Sequence, residues 1–313
     1  MGAWQPKTGP NRVVGVGANA VDAVYLLPQA PAPSGPRAKL RIRRHFVSCG
    51  GQVATSLATC TRLGLETQYI GAIGTDSNGD RIRQALVQAG VGTTHVVTRA
   101  GENPAAVILI DETTGERIVL WDRGTSFGLN PTEIPEDLIA SADLLHVDDV
   151  DLDASILAAT LARSHAVPVT SDIERIEERT EELVRAVTHP IFGEDVAVAL
   201  SGCADHEAAL RKIRVHNPGV LCVTLGAAGS IALDGDRIIR APGIRVAAVD
   251  TTGAGDVFRG AFIHAILAGR STADTLRFAN AAAAASCTKF GAISAVPTLA
   301  ETLALAGEPS NAA

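Results

Sequence analysis

Residues 144–171, LLHVDDVDLDASILAATLARSHAVPVTS, hold the alternation on which the fold turns. Leu144–Val147 is a short apolar run suited to a strand buried on both faces, Asp153–Ser164 spaces its apolar residues as a helix does, and Val167–Ser171 is a second apolar run. Two strands joined by a helix make a right-handed crossover, so the strands are parallel. Outward from this unit the pattern continues through a helix around Glu177–Ala186 to a strand at Val220–Leu225. The chain therefore reads as α/β, with a mainly parallel central sheet flanked by helices and ligands expected at the carboxyl ends of its strands.

Toward the N-terminus, Arg12–Gly17 and Val21–Leu27 read as strands, followed by a Pro-rich turn at Pro28–Pro36. Lys39–Val47 alternates charged with apolar residues, as a strand with one wet face does. Gly50–Leu63 reads as a helix stopped by Gly64, Tyr69–Ile73 as a strand, and Asp80–Gln88 as a helix closed by Gly90. Val107–Asp111 and Arg117–Trp121 flank a hairpin turn around Gly115.

Composition narrows the function. The 313 residues are 46% hydrophobic and only 4% aromatic, so the core is built from Ala, Val, Ile and Leu. A net charge of -7 opposes association with nucleic acid or an anionic membrane. Apolar runs fall short of a membrane span and no targeting segment is expected, which points to the cytoplasm. The five cysteines, Cys49, Cys60, Cys203, Cys222 and Cys287, are scattered and odd in number, as expected of reduced thiols and not of a disulfide framework or zinc site.

Chemistry concentrates at Val249–Ala268, VDTTGAGDVFRGAFIHAILA, where a Gly253-Ala254-Gly255 turn and Asp256 open an apolar helix. Backbone N–H groups at such a helix start lack intrahelical partners, and the helix dipole favours an anion there. Phosphoryl transfer needs that anion site and a proton acceptor, which Asp256 supplies. Taken alone, the same spacing also suits an Asp that only complements the helix dipole.

DTTGAGDVFRGAF resembles the C-terminal signature of the ribokinase, or PfkB, family of carbohydrate kinases, in which the Asp of the GAGD run deprotonates the sugar hydroxyl. The likeness runs in order along roughly residues 12–300: Gly15-Val16-Gly17 with Asp22, Gly50-Gly51, Ile70–Val91, Val223–Ser230 and Asn280–Ala292 each resemble a family segment. It implies a ribokinase-like fold spanning 12–306 as a single domain, with a small β-sheet lid from segments near 21–47 and 93–122 and loose termini at 1–11 and 307–313. It also implies ATP as phosphate donor with Mg2+, Asp256 as base, and the Gly253, Ala254 and Gly255 backbone as anion hole. Asp22, Gly50, Gly51, Gln52 and Thr55 would lie against the sugar, with Thr224, Gly226, Gly229, Gly253, Gly255 and Asn280 around the nucleotide.

Departures bear on specificity. Gln52 and Thr55 stand where many members carry sugar-facing Asn. The Asn-x-x-Glu element tied to magnesium placement reads Gly193-Glu194-Asp195-Val196, leaving Glu194 or Asp195 to serve the metal through water. In this respect, and in RIVLWDRG (Arg117–Gly124), the chain resembles ketohexokinases, so a ketohexose or ribose-like monosaccharide is the expected acceptor. Asp250, Thr252, Ser286 and Gly291 match positions that hold a monovalent cation, K+, in relatives, although Ala295 replaces a contributing Ser. The family likeness also implies a homodimer paired through the lid, with Val24 or Phe46 reaching the partner. A nucleoside kinase and a sugar-binding regulator without turnover stay open as alternatives.

Overall fold

The computed structural model describes residues 9–114, 117–124 and 127–309. The turn expected at Gly115, and residues 1–8 and 310–313 of the expected loose termini, lie outside them. The chain begins with β1 (Arg12–Val16), β2 (Ala20–Leu27), β3 (Arg44–Gly50), α1 (Gln52–Arg62), β4 (Glu66–Gly74), α2 (Ser77–Gln88), β5 (Gly92–Arg99), β6 (Ala105–Asp111) and β7 (Arg117–Asp122). It continues with α3 (Glu136–Ala140), β8 (Leu144–Asp148), α4 (Leu152–Ser164), β9 (Val169–Ile173), α5 (Thr180–Ala186), β10 (His189–Phe192), α6 (Val196–Ser201), α7 (His206–Ile213) and β11 (Leu221–Thr224). A hairpin of β12 (Gly229–Asp234) and β13 (Arg237–Pro242) leads to α8 (Ala254–Leu267), α9 (Thr272–Ser286) and α10 (Leu299–Ala306).

Among the described residues nine strands form one sheet, in the order β13-β12-β11-β10-β9-β8-β1-β4-β5. Its strands are parallel except for β12 and β13, which close the edge as an antiparallel hairpin. Helices cover both faces. One core gathers α1, α8 and α9 around Leu57, Phe258, Phe262 and Phe278, and the other gathers α4, α5 and α7 around Ala158, Leu183 and Leu210. Covering both faces explains why Val13, Val14 and Val16 of β1 are all fully buried. β1 lies between β8 and β4, so strand order reverses there and the crevice above its carboxyl end is the natural ligand site.

β3, β2, β6 and β7 form a second sheet of four strands. β5, expected in this lid, instead pairs in parallel with β4 at the edge of the large sheet. The α2 crossover is what carries β5 there: a helix between two strands returns the second beside the first. The strand expected at 39–47 begins only at Arg44, after a 3-10 turn at Gly35–Ala38. Its exposed Arg41 and Arg43 explain the shift, because charge alternation on a solvated loop looks like a half-wet strand.

Cross-strand register sorts the two faces of this small sheet. Val24 and Ile108 are buried, and Phe46 packs edge-on against Phe290 at 5.4 Å, so this set faces the large domain. Val24 and Phe46 therefore pack toward the large domain. The alternate row, Val47, Ala23, Val107 and Leu120, faces outward, with Val47 48% and Leu120 57% exposed.

Candidate active site

The start of α8 leaves backbone N–H groups without partners, a geometry that can take an anion. Gly253 holds φ at 74°, and an added Cβ would come within 2.8 Å of the Ala292 Cβ. No side chain caps the helix, and no backbone carbonyl among the described residues takes the N–H groups of Gly255 or Asp256. Asp256 sits in this first turn, partly open to the cleft. Crowding by protein atoms pushes its carboxyl well above the usual carboxylate range against the opposing pull of Arg259, and Glu174, Asp148 and Asp22 add to the rise.

The expected sugar-side residues converge on that turn. The point where Gly50 would carry a Cβ lies 3.5 Å from Thr55 Oγ1, 3.8 Å from Asp22 Oδ2 and 3.0 Å from the Ala292 Cβ that also abuts Gly253. Gly51, at φ 101°, begins α1 where any side chain would collide with Asn19. Thr55 Oγ1 and Gln52 Oε1 are buried with no hydrogen-bond partner in the chain, which leaves both for a polar ligand. Burial, and then the charge of Asp250, push the Asp22 carboxyl up to about 6.

Several residues at this site had no role read from the sequence, although Arg259 lies inside the DTTGAGDVFRGAF stretch. Arg259, only 1% exposed, pairs with Asp172 at 2.6 Å and with Glu174 at 2.5 Å. Its guanidinium would lie 2.7 Å from a Cβ on Gly255, so it packs directly beneath that turn. The one available signal was a charged residue inside the otherwise apolar VFRGAFI run. Asn19 bridges Tyr69 and Ala72, Tyr69 donates to the Gly17 carbonyl, and Asn103 donates to Asn19, a buried network that holds the loop before β2.

On the expected nucleotide side, Thr224 donates to the Phe192 carbonyl at 3.3 Å. Gly226 faces open space with Glu194 Oε2 3.8 Å from its Cβ position, so the Glu194 carboxylate does border the expected nucleotide turn. Gly229 is required for packing, since a side chain would strike the Ala241 carbonyl. Asn280 is spent on the carbonyls of Ala241 and Pro242, which anchors the end of β13.

Asp250 accepts N–H bonds from Thr252 and Gly291, each at 2.9 Å, and so ties together two of the expected cation-site segments. Thr252 Oγ1 is buried without a partner, whereas the Ser286 hydroxyl turns back to the Ala283 carbonyl. The unpartnered buried Thr252 hydroxyl is an oxygen donor that fits a monovalent cation, and a lone Glu194 carboxylate fits a hydrated divalent one. Among the described residues no three His, Cys, Asp or Glu side chains converge as a metal cluster.

Residues 23–299 match the model of the pfkB family carbohydrate kinases. The ribokinase of Haemophilus influenzae is 32% identical over 278 residues, covering 86% of this chain and 90% of that protein. A nucleoside kinase of Methanothermobacter thermautotrophicus is 28% identical over 275 residues, 87% of each. The structure of Arabidopsis thaliana ribokinase complexed with ribose and ATP shares the fold at a TM-score of 0.80, with 24% identity over 96% of this chain and 100% of that one. An anion-binding helix start beside a carboxylate is the arrangement that phosphoryl transfer requires, and with a family match spanning both sheets the chain belongs to the pfkB family of carbohydrate kinases, phosphotransferases acting on a sugar hydroxyl.

Proposed function

We propose that this protein transfers the γ-phosphate of ATP to a primary hydroxyl of a monosaccharide of ketohexose or ribose-like type. The observation that carries the reading is the meeting of Asp22, Thr55 and Gly253 around Gly50 and Ala292, which puts hydroxyl-binding groups against the anion-binding turn. Asp256 takes the proton of the attacking hydroxyl, and a raised proton affinity suits a group that must accept it near neutral pH. The N–H groups of the Gly253–Asp256 turn stabilise charge on the transferring phosphoryl oxygens. Asp22 accepts hydrogen bonds from sugar hydroxyls and Thr55 orients them.

Magnesium, when bound with the nucleotide, supplies charge neutralisation on the phosphates, and Glu194 would hold it through water. The segments joined by Asp250, namely Thr252 and Gly291 with nearby Ser286, would hold potassium through backbone oxygens. Five free cysteines are consistent with a reducing, cytoplasmic setting. Among the described residues no helix is long and apolar enough to cross a membrane.

The test is ATP consumption across a panel of monosaccharides and nucleosides with magnesium. Consumption driven by a monosaccharide is expected. Consumption only with nucleosides would replace the sugar reading, and none with any acceptor from folded protein would end the kinase reading.

A further inference from the structure

The small-sheet side of the cleft presents a guanidinium that no carboxylate meets at ion-pair distance among the described residues. Arg123 directly follows β7, and register places that end of the sheet beside Asp22. Asp122 pairs with Ala105, which pairs with Val21, and Trp121 shares a row with Ala106, Asp22 and Ser48. The Arg123 guanidinium lies over the Trp121 ring, 5.1 Å from its centroid.

Of its charged neighbours, Asp148 and Asp149 favour its charged form without pairing with it and Arg175 opposes it. Asp148 is fully buried and accepts the N–H groups of Ala18 at 2.6 Å and Val150 at 3.0 Å, and burial pushes its carboxyl up to about 7. Asp149 is engaged by the N–H groups of Glu174 and Arg175 and by the Arg175 guanidinium at 3.0 Å. No carboxylate of the described residues is within ion-pair distance of Arg123. Burial first, and then the like charge of Arg175, disfavour its protonated form, yet a guanidinium does not release its proton in proteins. Half-buried and without an ion-pair partner, Arg123 is placed to take an anion. Gln52 Nε2 donates to Asp149 Oδ1 at 3.4 Å, which further occupies that carboxylate.

We propose that the acceptor is a sugar bearing an anionic group, a carboxylate or a phosphate, which pairs with Arg123. The inference rests on the kinase reading and narrows its substrate class.

The test compares kcat/KM for D-fructose, 2-keto-D-gluconate and D-fructose 1-phosphate by ADP release, in the native protein, Arg123→Met and Arg123→Lys. One anionic acceptor is expected to exceed D-fructose by at least about tenfold, since charge-assisted pairing outweighs neutral hydrogen bonding. That ratio should collapse toward one in Arg123→Met and recover in part in Arg123→Lys. Preference for 2-keto-D-gluconate assigns a carboxylate and preference for D-fructose 1-phosphate a phosphate. Preference for D-fructose, or a ratio unchanged by Arg123→Met, overturns the proposal. If none of the three releases ADP, the kinase reading is what turnover has failed to support, and calorimetric binding of the same compounds decides this one. Tighter binding of an anion that is lost in Arg123→Met sustains it, and equal or absent binding overturns it.

Discussion

Asp256 and Arg259 lie one helical turn apart, and the division of labour between them is open to measurement. Asp256→Asn keeps the side chain's size but cannot accept a proton, so turnover should fall by about two to four orders of magnitude with little change in sugar affinity. Near-normal turnover in a folded variant would remove the assignment. Arg259 supplies the positive charge that holds the Asp256 proton affinity down, so Arg259→Met should raise it further and move the acid limb of the kcat profile to higher pH. A purely structural role predicts a lower Tm with the limb unmoved. For Asp22, raised to about 6, the anion is the form that accepts hydroxyl hydrogen bonds, so sugar affinity should weaken as pH falls through about 6. Calorimetry at pH 5 and 7.5 checks this, and equal affinities at both would return Asp22 to a turn residue.

The pairing of α8 with α1 sets the position of the site, because these helices carry Asp256 and Thr55 respectively. They meet tightly at Gly260, where a Cβ would come within 2.5 Å of the Ser56 carbonyl, and Ser56 Oγ donates to the Asp256 carbonyl at 3.0 Å. Gly260→Ala should cost about 1–3 kcal/mol by forcing the helices apart. Thermal unfolding measures that cost, and an unchanged Tm would show that the contact is slack. The glycine was legible in the sequence as part of a signature, but its reason is a helix crossing against Ser56, far away in the chain.

For the molecule as a whole, the outward face of the small sheet carries exposed Val47, Val107, Ile118 and Leu120. An apolar sheet face left in water favours pairing with another such face, so we expect a homodimer joined through Val47 and Leu120. Leu120→Glu should shift sedimentation from dimer to monomer at micromolar concentration, and a native monomer would refute the assembly. Closure of this sheet over bound sugar should slow hydrogen exchange across residues 44–50, whereas unchanged exchange at saturating sugar would refute closure.

How much was readable follows from the range of the interactions involved. The parallel sheet, α8 and the Gly253–Asp256 turn were legible because local periodicity and turn chemistry determine them: buried strands are apolar runs, and a helix start needs glycine where φ is positive. β5 was misplaced into the small sheet because hydrophobic pattern says that a strand exists, not which neighbour it pairs with. Which face of the sheet meets the core was likewise not legible, since alternation marks two faces without choosing between them, and Val24 and Phe46 lie on the inner one. Arg259 with Asp172 and Glu174, and Arg123 beside Asp148 and Asp149, were decided only by tertiary structure. Each set joins residues far apart in the chain, and an ionisable side chain acquires its meaning from the charges and burial that the fold brings to it.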